Sequence, residues 1–204
     1  LFVTKSEKHN YEVTELRVAT FLVKDDILDV EAFKNWRSDF SEAEFILEEG
    51  KYICGSEAEK MSKSKHNTVN PDDVINQFGA DAFRLYEMFI GPFEGTVPWS
   101  TNGLVGTYRF VEKVWNVGTK EFFAETPAPT KTLIHKTIQK VSSDIENFKF
   151  NTAISTFMIL INEILKDGIS KEDFKIVLRI LAPFAPHMTE ELWQKVAPVA
   201  GTKD

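Results

Sequence analysis

The sequence has little of what builds disulfide frameworks, zinc sites or membrane spans. Its single cysteine, Cys54, excludes an internal disulfide framework and a cysteine-based zinc site. No run of apolar residues is long enough to cross a bilayer, and no secretory leader is recognisable. These absences predict a protein of the reducing cytoplasm without a membrane contact. A start at Leu1 rather than at methionine also predicts a piece of a longer protein.

A surplus of positive charge is lacking as well. The formal net charge is −7, and residues 1–59 hold 7 basic against 14 acidic side chains, whereas residues 60–204 hold 17 of each. Because binding a polyanion requires basic surface, residues 1–59 are poorly suited to broad contact with nucleic acid. Composition alone therefore does not indicate a nucleic-acid partner.

A lysine- and serine-rich pentapeptide is the most informative motif that is present. Residues 60–64 read Lys60-Met61-Ser62-Lys63-Ser64, and Lys65 adds a third ammonium. Cationic side chains on a short, mobile loop can neutralise phosphates, and serine hydroxyls can donate to phosphate oxygens. Taken alone, the pentapeptide also fits a solvated surface loop. Further motifs follow it at Asn67, Pro71-Asp72-Asp73, Gly79-Ala80-Asp81 and Arg84-Leu85.

The first 59 residues predict a small, acidic, β-rich unit. Residues 11–23 are rich in β-branched and aromatic types, which favours strands. Asp29 can cap a short helix that carries Val30, Phe33 and Phe40, with Trp36 near the same side. Residues 48–51 predict the turn of a hairpin between residues 45–47 and 52–54, with Gly50 supplying the positive φ.

From residue 71 onward the pattern is helical. Pro71 suits a first helical position, Gly79 ends that helix, and Asp81 is expected to cap the next one. Residues 91–102 predict a connector, and apolar stripes at steps of three and four then predict four or five helices in an antiparallel bundle. The stripes are Leu104, Tyr108, Val111, Trp115 and Phe122; Ile134, Ile138, Val141, Ile145 and Phe148; Ile154, Phe157, Met158, Ile161 and Leu165; Phe174, Leu178 and Leu181; and a last helix from Thr189 with Leu192, Trp193 and Val196. The fold class is α+β, mainly α.

These motifs together resemble a known family. Residues 60–85 resemble the mobile nucleotide-binding loop of class I aminoacyl-tRNA synthetases and the helices after it. Residues 183–193, Pro183-Phe184-Ala185-Pro186-His187-Met188-Thr189-Glu190-Glu191-Leu192-Trp193, resemble the helical anticodon-binding domain of the leucyl, isoleucyl, valyl and methionyl enzymes. Trp99 with Gly103, Gly106, Arg109-Phe110 and Val114-Trp115, and Phe150-Asn151-Thr152-Ala153-Ile154, are most similar to bacterial leucyl enzymes. The resemblance covers residue 60 to about residue 197.

The resemblance implies an ATP site on the loop. Lys63 would contact the ATP phosphates, Lys60 would assist, and both would be catalytic; Met61, Ser62 and Ser64 would border the nucleotide. The resemblance implies that Mg²⁺ arrives with the nucleotide, and no side chains of this chain are predicted as metal ligands.

The bundle would meet transfer RNA through Arg109 and Lys113, although Arg109 equally fits a surface arginine without a ligand. Trp115 and Trp193 are expected to anchor the core, and His187 is expected to be structural.

The implied parent is a monomeric leucyl-tRNA synthetase that activates leucine with ATP and transfers it to tRNA(Leu). Its domains here would be residues 1–59, a leucine-specific insertion; residues 60–102, the loop and following helices; and residues 103–204, the bundle. The family's His-Ile-Gly-His type motif is absent from the 204 residues, so this chain alone is predicted to be inactive. Open alternatives are a valyl or isoleucyl enzyme, a non-catalytic RNA-binding or assembly module, and a plain helical interaction protein.

Overall fold

The computed structural model describes residues 1–197 and divides into two compact units. Unit 1 comprises Leu1–Asn70, and unit 2 begins at Pro71. The predicted functional boundaries at 59/60 and 102/103 lie elsewhere and stay predictions, and the last predicted domain, residues 103–204, extends beyond the described residues.

Unit 1 contains four two-residue strands and one short helix. The strands are β1 (Phe2–Val3), β2 (Val23–Lys24), β3 (Ile27–Leu28) and β4 (Phe45–Ile46), and the helix is α1 (Val30–Trp36). β1 pairs with β4 in parallel, Phe2 opposite Phe45, and β2 pairs with β3 in an antiparallel hairpin. Short 3-10 turns occupy residues 5–10, 20–22, 38–40 and 63–65.

The prediction of strands across residues 11–23 is wrong. Only β2 at its end is a strand, and residues 20–22 form a 3-10 turn. Tyr11, Val13 and Leu16 stay exposed, so the β-forming side chains of this segment are not buried against a neighbouring strand. Strand propensity mainly measures how well a residue packs on a half-buried pleated surface, and this segment lacks that surface.

The turn at residues 48–51 is confirmed, but the arms of its hairpin are wrong. Glu48 and Lys51 exchange backbone hydrogen bonds of 2.8 and 2.9 Å, and Gly50 has φ +77°. β4 pairs with β1 instead of with residues 52–54, and Ile53 bridges Ile27. The turn is fixed locally by its left-handed residues, whereas the strand partners are set by distant side chains.

The core of unit 1 is aromatic and small. Asp29 caps α1 as predicted, its carboxylate accepting a hydrogen bond from the Ala32 N–H at 3.0 Å. The predicted extension of this helix to Phe40 is wrong, because α1 ends at Trp36 and Phe40 lies in the turn at residues 38–40. The Asp29 cap orients the buried Phe33, whose ring contacts those of Phe2 and Phe40 at centroid distances of 5.1 and 4.8 Å. Four buried residues form the centre of this cluster: Ala19, Leu22, Leu28 and Phe33.

Unit 2 is a helical bundle. Its helices are α2 (Pro71–Phe78), α3 (Ala80–Phe89), α4 (Thr101–Thr119), α5 (Ala128–Glu146), α6 (Phe150–Asp167), α7 (Lys171–Leu181) and α8 (Pro186–Val196). α3 packs on α4, α6 and α8, α5 packs on α6, and α7 packs on α8. None of these helices, among the residues that the structure describes, is both long and apolar enough to span a membrane.

Two predicted helix boundaries are confirmed, and two further helix starts have serine caps that were not predicted. Pro71 begins α2, and Gly79, at φ +84°, separates α2 from α3. Ser100 caps α4 by accepting from the Gly103 N–H, and Ser170 caps α7 by accepting from the Asp173 N–H. Serine oxygens at these positions satisfy N–H groups that have no partner within their own helix.

The apolar stripe of α4 is rotated relative to the prediction. The buried residues are Leu104, Thr107, Phe110, Val114, Val117 and Gly118. Tyr108 and Trp115 are half-buried, and Phe122 lies beyond the end of the helix. α4 contacts α3, α6 and α8, and its buried positions hold mainly small or aliphatic side chains, with Phe110 as the exception, whereas Tyr108 and Trp115 lie at the edge of the contact.

Two other predicted helix positions are wrong. Phe148 does not belong to α5, which ends at Glu146; its φ is +55° and its ring is largely exposed. The last helix begins at Pro186 rather than at Thr189, because proline is well suited to the first helical position.

Asp81 does not cap its own helix. It is buried inside α3, and its carboxylate accepts hydrogen bonds from the backbone N–H groups of His187 at 3.3 Å and Met188 at 2.6 Å. The Nδ1 atom of the exposed His187 ring lies 2.8 Å from the same carboxylate. Asp81 therefore caps the start of α8 from α3, where a carboxylate also matches the positive end of the helix dipole.

Candidate functional site

The lysine loop lies between an irregular segment and a 3-10 turn. Residues 54–62 have no regular secondary structure, and the turn spans Lys63–Lys65. The Lys65 N–H donates to the Ser62 carbonyl at 3.1 Å, and the His66 N–H donates to the Lys63 carbonyl at 3.2 Å. His66 ends the turn in the left-handed region, at φ +55°, so the chain reverses at this point.

The Asn67 side chain closes the loop. Its Oδ1 accepts a hydrogen bond from the Ser62 N–H at 2.8 Å, and its Nδ2 donates to the Lys60 carbonyl at 3.4 Å. One amide therefore holds two backbone positions within the pentapeptide, which explains why an asparagine follows it at this spacing.

Two of the three loop lysines carry uncompensated charge. Lys60 and Lys63 are exposed, and within residues 1–197 neither ammonium forms an ion pair. Lys65 is half-buried, and its Nζ lies 3.1 Å from the Glu59 carboxylate. The loop therefore presents two free ammonium groups and retains the third.

The pentapeptide also presents hydroxyl groups. The Oγ atoms of Ser62 and Ser64 are 3.2 Å apart, and the exposed Met61 lies between the lysine and the first serine. Hydroxyls that now bond each other can turn to donate to an incoming phosphate oxygen. This arrangement of free cations and donors is suited to binding an anion.

A residue that the sequence prediction missed, Glu59, borders the loop. The Arg17 guanidinium donates to both of its carboxylate oxygens, Nη2 to Oε1 at 2.8 Å and Nη1 to Oε2. Hydrogen bonds from Arg17, and then from Lys65, lower the pKa of Glu59 to about 2, so the carboxylate stays ionised near neutral pH. An acidic residue directly before Lys60 was the available signal; its partner Arg17, 42 positions away, gave none.

The far end of the loop is attached to the aromatic core of unit 1. The His66 ring meets the Trp36 ring edge to face, with centroids 5.3 Å apart, and the His66 carbonyl accepts from the Thr20 N–H at 3.2 Å. Both ends of the loop are therefore fixed, while Lys60 and Lys63 remain exposed between them.

The candidate RNA-contacting residues lie on α4. Arg109 and Lys113 are both exposed and four positions apart, so they share one face of the helix. Lys113 donates from Nζ to the Asn162 Oδ1 at 2.8 Å, a neutral partner that leaves its charge uncompensated. They belong to unit 2, whereas the loop lysines belong to unit 1.

The two tryptophans of the bundle pack against its core. Trp115 and Trp193 are both half-buried against the buried cluster. The Lys195 Nζ lies 4.0 Å from the centroid of Trp115, and the Arg179 guanidinium lies 5.0 Å from that of Trp193. Cations of the chain itself thus occupy positions over these rings. Across the described part of the chain, no group of three His, Cys, Asp or Glu side chains is arranged to hold a metal ion.

Two family models match the chain. One describes the anticodon-binding domain of tRNA ligase and matches residues 131–204; the other describes tRNA synthetases class I (I, L, M and V) and matches residues 44–97. A lysine loop followed by a helical bundle of the anticodon-binding type defines a protein of the class I tRNA synthetases.

Named relatives indicate which member of this class the chain is similar to. The leucine–tRNA ligase of Phocaeicola vulgatus is 50% identical over 100% of this chain and 22% of the relative, and that of Amoebophilus asiaticus is 52% identical over 95% and 22%. A crystal structure of the ternary complex of Agrobacterium radiobacter K84 agnB2 LeuRS with tRNA and LeuAMS matches at a TM-score of 0.59 and 27% identity, over 70% of this chain and 21% of that one.

The chain belongs to the class I tRNA synthetase family and corresponds to part of a leucine–tRNA ligase. It spans about a fifth of the length of the curated relatives that it matches.

Proposed function

We propose that this chain supplies the ATP-phosphate loop and a tRNA-contacting bundle to a leucine–tRNA ligase of the cytoplasm. One observation carries the proposal: Lys60 and Lys63 are exposed on a loop closed by Asn67, and neither ammonium forms an ion pair within residues 1–197. The names of the relatives favour leucine over valine or isoleucine as the amino acid, and hence tRNA(Leu) as the RNA. The match to the anticodon-binding domain of tRNA ligase supports a tRNA partner for the bundle.

The chemistry of amino-acid activation explains why this loop carries two free cations. Attack of a carboxylate on the α-phosphorus of ATP releases pyrophosphate, so negative charge accumulates on the β- and γ-phosphates. Ammonium groups placed there stabilise the transition state more than the bound substrate. Mg²⁺ would enter with the nucleotide, held by its phosphates.

Lys63 is proposed as the main phosphate ligand, with Lys60 assisting. Ser62 and Ser64 would donate from their hydroxyls, and the backbone around Met61 would border the nucleotide. Arg109 and Lys113 would contact the RNA backbone from α4, since both are exposed and neither is neutralised by a carboxylate among residues 1–197.

Replacing Lys63 in the complete ligase tests the loop assignment. Lys63→Ala removes one charge-assisted phosphate contact. This loss should raise the activation free energy of leucine activation by about 2–4 kcal/mol and slow the step accordingly. ATP–pyrophosphate exchange measures this step. Lys51→Ala, on the exposed turn at residues 48–51, is the matched control and should retain the rate.

An unchanged exchange rate in Lys63→Ala would remove Lys63 from the proposed site. A decrease of equal size in Lys51→Ala would attribute the effect to general charge rather than to the loop.

A further inference from the structure

The Glu59 carboxylate pairs with two cations from different segments of unit 1. Arg17 lies in residues 11–19, which have no regular structure, and donates to both carboxylate oxygens of Glu59. Lys65, on the turn of the loop, forms an ion pair with the same carboxylate. The Glu59 side chain is only 19% exposed, against 54% for Arg17 and 36% for Lys65. A bidentate arginine fixes a carboxylate in orientation as well as in position.

This arrangement divides the three loop lysines into two classes. Lys60 and Lys63 meet solvent without a carboxylate partner among the described residues, whereas the Lys65 ammonium is directed to Glu59. Lys65 is nevertheless only two positions beyond Lys63, on the same 3-10 turn. A small rotation of its flexible side chain would bring a third cation to any anion bound there.

We propose that Glu59, oriented by Arg17, is a positioning residue that holds the Lys65 ammonium away from bound phosphate. The inference rests on the proposed function, because it concerns the same loop. A third ammonium would bind released pyrophosphate as tightly as the reacting phosphates, and uniform binding of this kind slows product release without accelerating the chemical step. Glu59 thus leaves only the ammonium groups of Lys60 and Lys63 to bind phosphate.

Pyrophosphate binding to this 204-residue chain tests the proposal directly. Glu59→Gln keeps the side-chain shape and removes the charge that retains Lys65, so the dissociation constant for pyrophosphate should fall by about three- to tenfold. An NMR titration with inorganic pyrophosphate measures it. Glu57→Gln, an exposed carboxylate two positions earlier without an ion pair among the described residues, is the matched control for removal of one negative charge.

A double-variant cycle assigns the effect to Lys65. Lys65→Met alone should leave the dissociation constant within about twofold, because its ammonium is already occupied. Glu59→Gln combined with Lys65→Met should abolish the tighter binding of Glu59→Gln alone. Tighter binding that persists in the double variant, equally tight binding in Glu57→Gln, or unchanged binding in Glu59→Gln would overturn the proposal.

Lys65→Met also tests whether the Lys65 ammonium contacts phosphate while Glu59 is intact. A decrease in affinity as large as that caused by Lys63→Met would show that Lys65 binds phosphate in the resting loop, and would overturn the proposal.

The proposed function fails by a different result. If the unmodified chain binds pyrophosphate no more tightly than a Lys60→Met/Lys63→Met double variant, the loop is not a phosphate site at all. If it binds more tightly than that variant but Glu59→Gln changes nothing, only the role of Glu59 is refuted. The circular dichroism of each variant confirms that the comparison is made between folded proteins.

Discussion

Two cations donate hydrogen bonds to the ionised form of Glu59, and this stabilisation makes its carboxyl group a stronger acid. Its pKa of about 2 in the folded chain lies below the ordinary glutamate value of about 4.3. A depressed folded-state pKa contributes stability that is present above the unfolded value and is lost as the pH falls through the folded value. The stability that the Glu59 interactions contribute is therefore fully present at neutral pH and is lost as the pH falls from about 4.3 through about 2.

Arg17→Gln should raise the pKa of Glu59 toward its ordinary value. Arg17 supplies the largest contribution to the shift and Lys65 the next, so Lys65→Met should raise the pKa by a smaller amount. A carboxyl ¹³C NMR titration of labelled glutamate measures both. A Glu59 pKa that stays at about 2 in Arg17→Gln would show that the guanidinium does not hold this carboxylate in solution.

At the scale of one element, α4 contains two glycines in contrasting surroundings. A Cβ atom built on Gly118 would lie 2.7 Å from the Leu192 Cδ2 of α8 and 3.1 Å from the Phe174 Cε1 of α7. A Cβ atom on Gly106 would meet no atom within 4 Å. Gly118 therefore permits close packing of three helices, and Gly106 has no such role.

Alanine at these two positions should change stability in opposite directions. Gly118→Ala overpacks the contact with α7 and α8 and should cost about 1–3 kcal/mol. Gly106→Ala adds helix propensity without a clash and should stabilise the bundle by up to about 1 kcal/mol. Urea unfolding followed by helical circular dichroism measures both. Equal stabilisation by the two variants would contradict the packing described at Gly118.

The elements of the chain differ in how far the sequence alone could predict them. Helices α2 and α7 have local signals, Pro71 for the first and Ser170 with two acidic residues for the second, and these residues act within one turn. The strands of unit 1 are two residues long, and β1 pairs with β4 more than forty positions away. Short strands held by distant aromatic contacts leave no periodic pattern to detect.

At the scale of the whole molecule, the loop could be predicted but its supports could not. The motif at residues 60–64 and Asn67 identified the phosphate-binding candidate, and the structure adds why Asn67 is needed. The ion pair of Arg17 with Glu59 and the cap that Asp81 provides for α8 join residues far apart in sequence. Their chemistry is visible in the sequence, but their pairing depends on how the chain folds.

Because of the distribution of charge, the proposed tRNA binding would depend on particular residues rather than on the whole surface. Residues 1–59 carry the entire net charge of −7, and residues 60–204 are balanced at 17 cations and 17 anions. A balanced surface contacts a polyanion through local clusters whose charges are not neutralised by neighbouring carboxylates. Arg109 and Lys113 meet that condition on α4 within the described residues.

Replacing Arg109 and Lys113 together by alanine should weaken binding of tRNA(Leu) by the complete ligase and reduce its salt dependence. If each cation neutralises one phosphate, the slope of log K against log salt should decrease in magnitude by about one for each cation removed. Filter binding over a range of salt concentrations measures this slope. Lys131→Ala with Lys136→Ala removes two exposed cations from α5, and this matched pair should retain the slope. The same slope in both double variants would show that the α4 face does not meet the RNA, because removal of general positive charge would then account for any change in affinity.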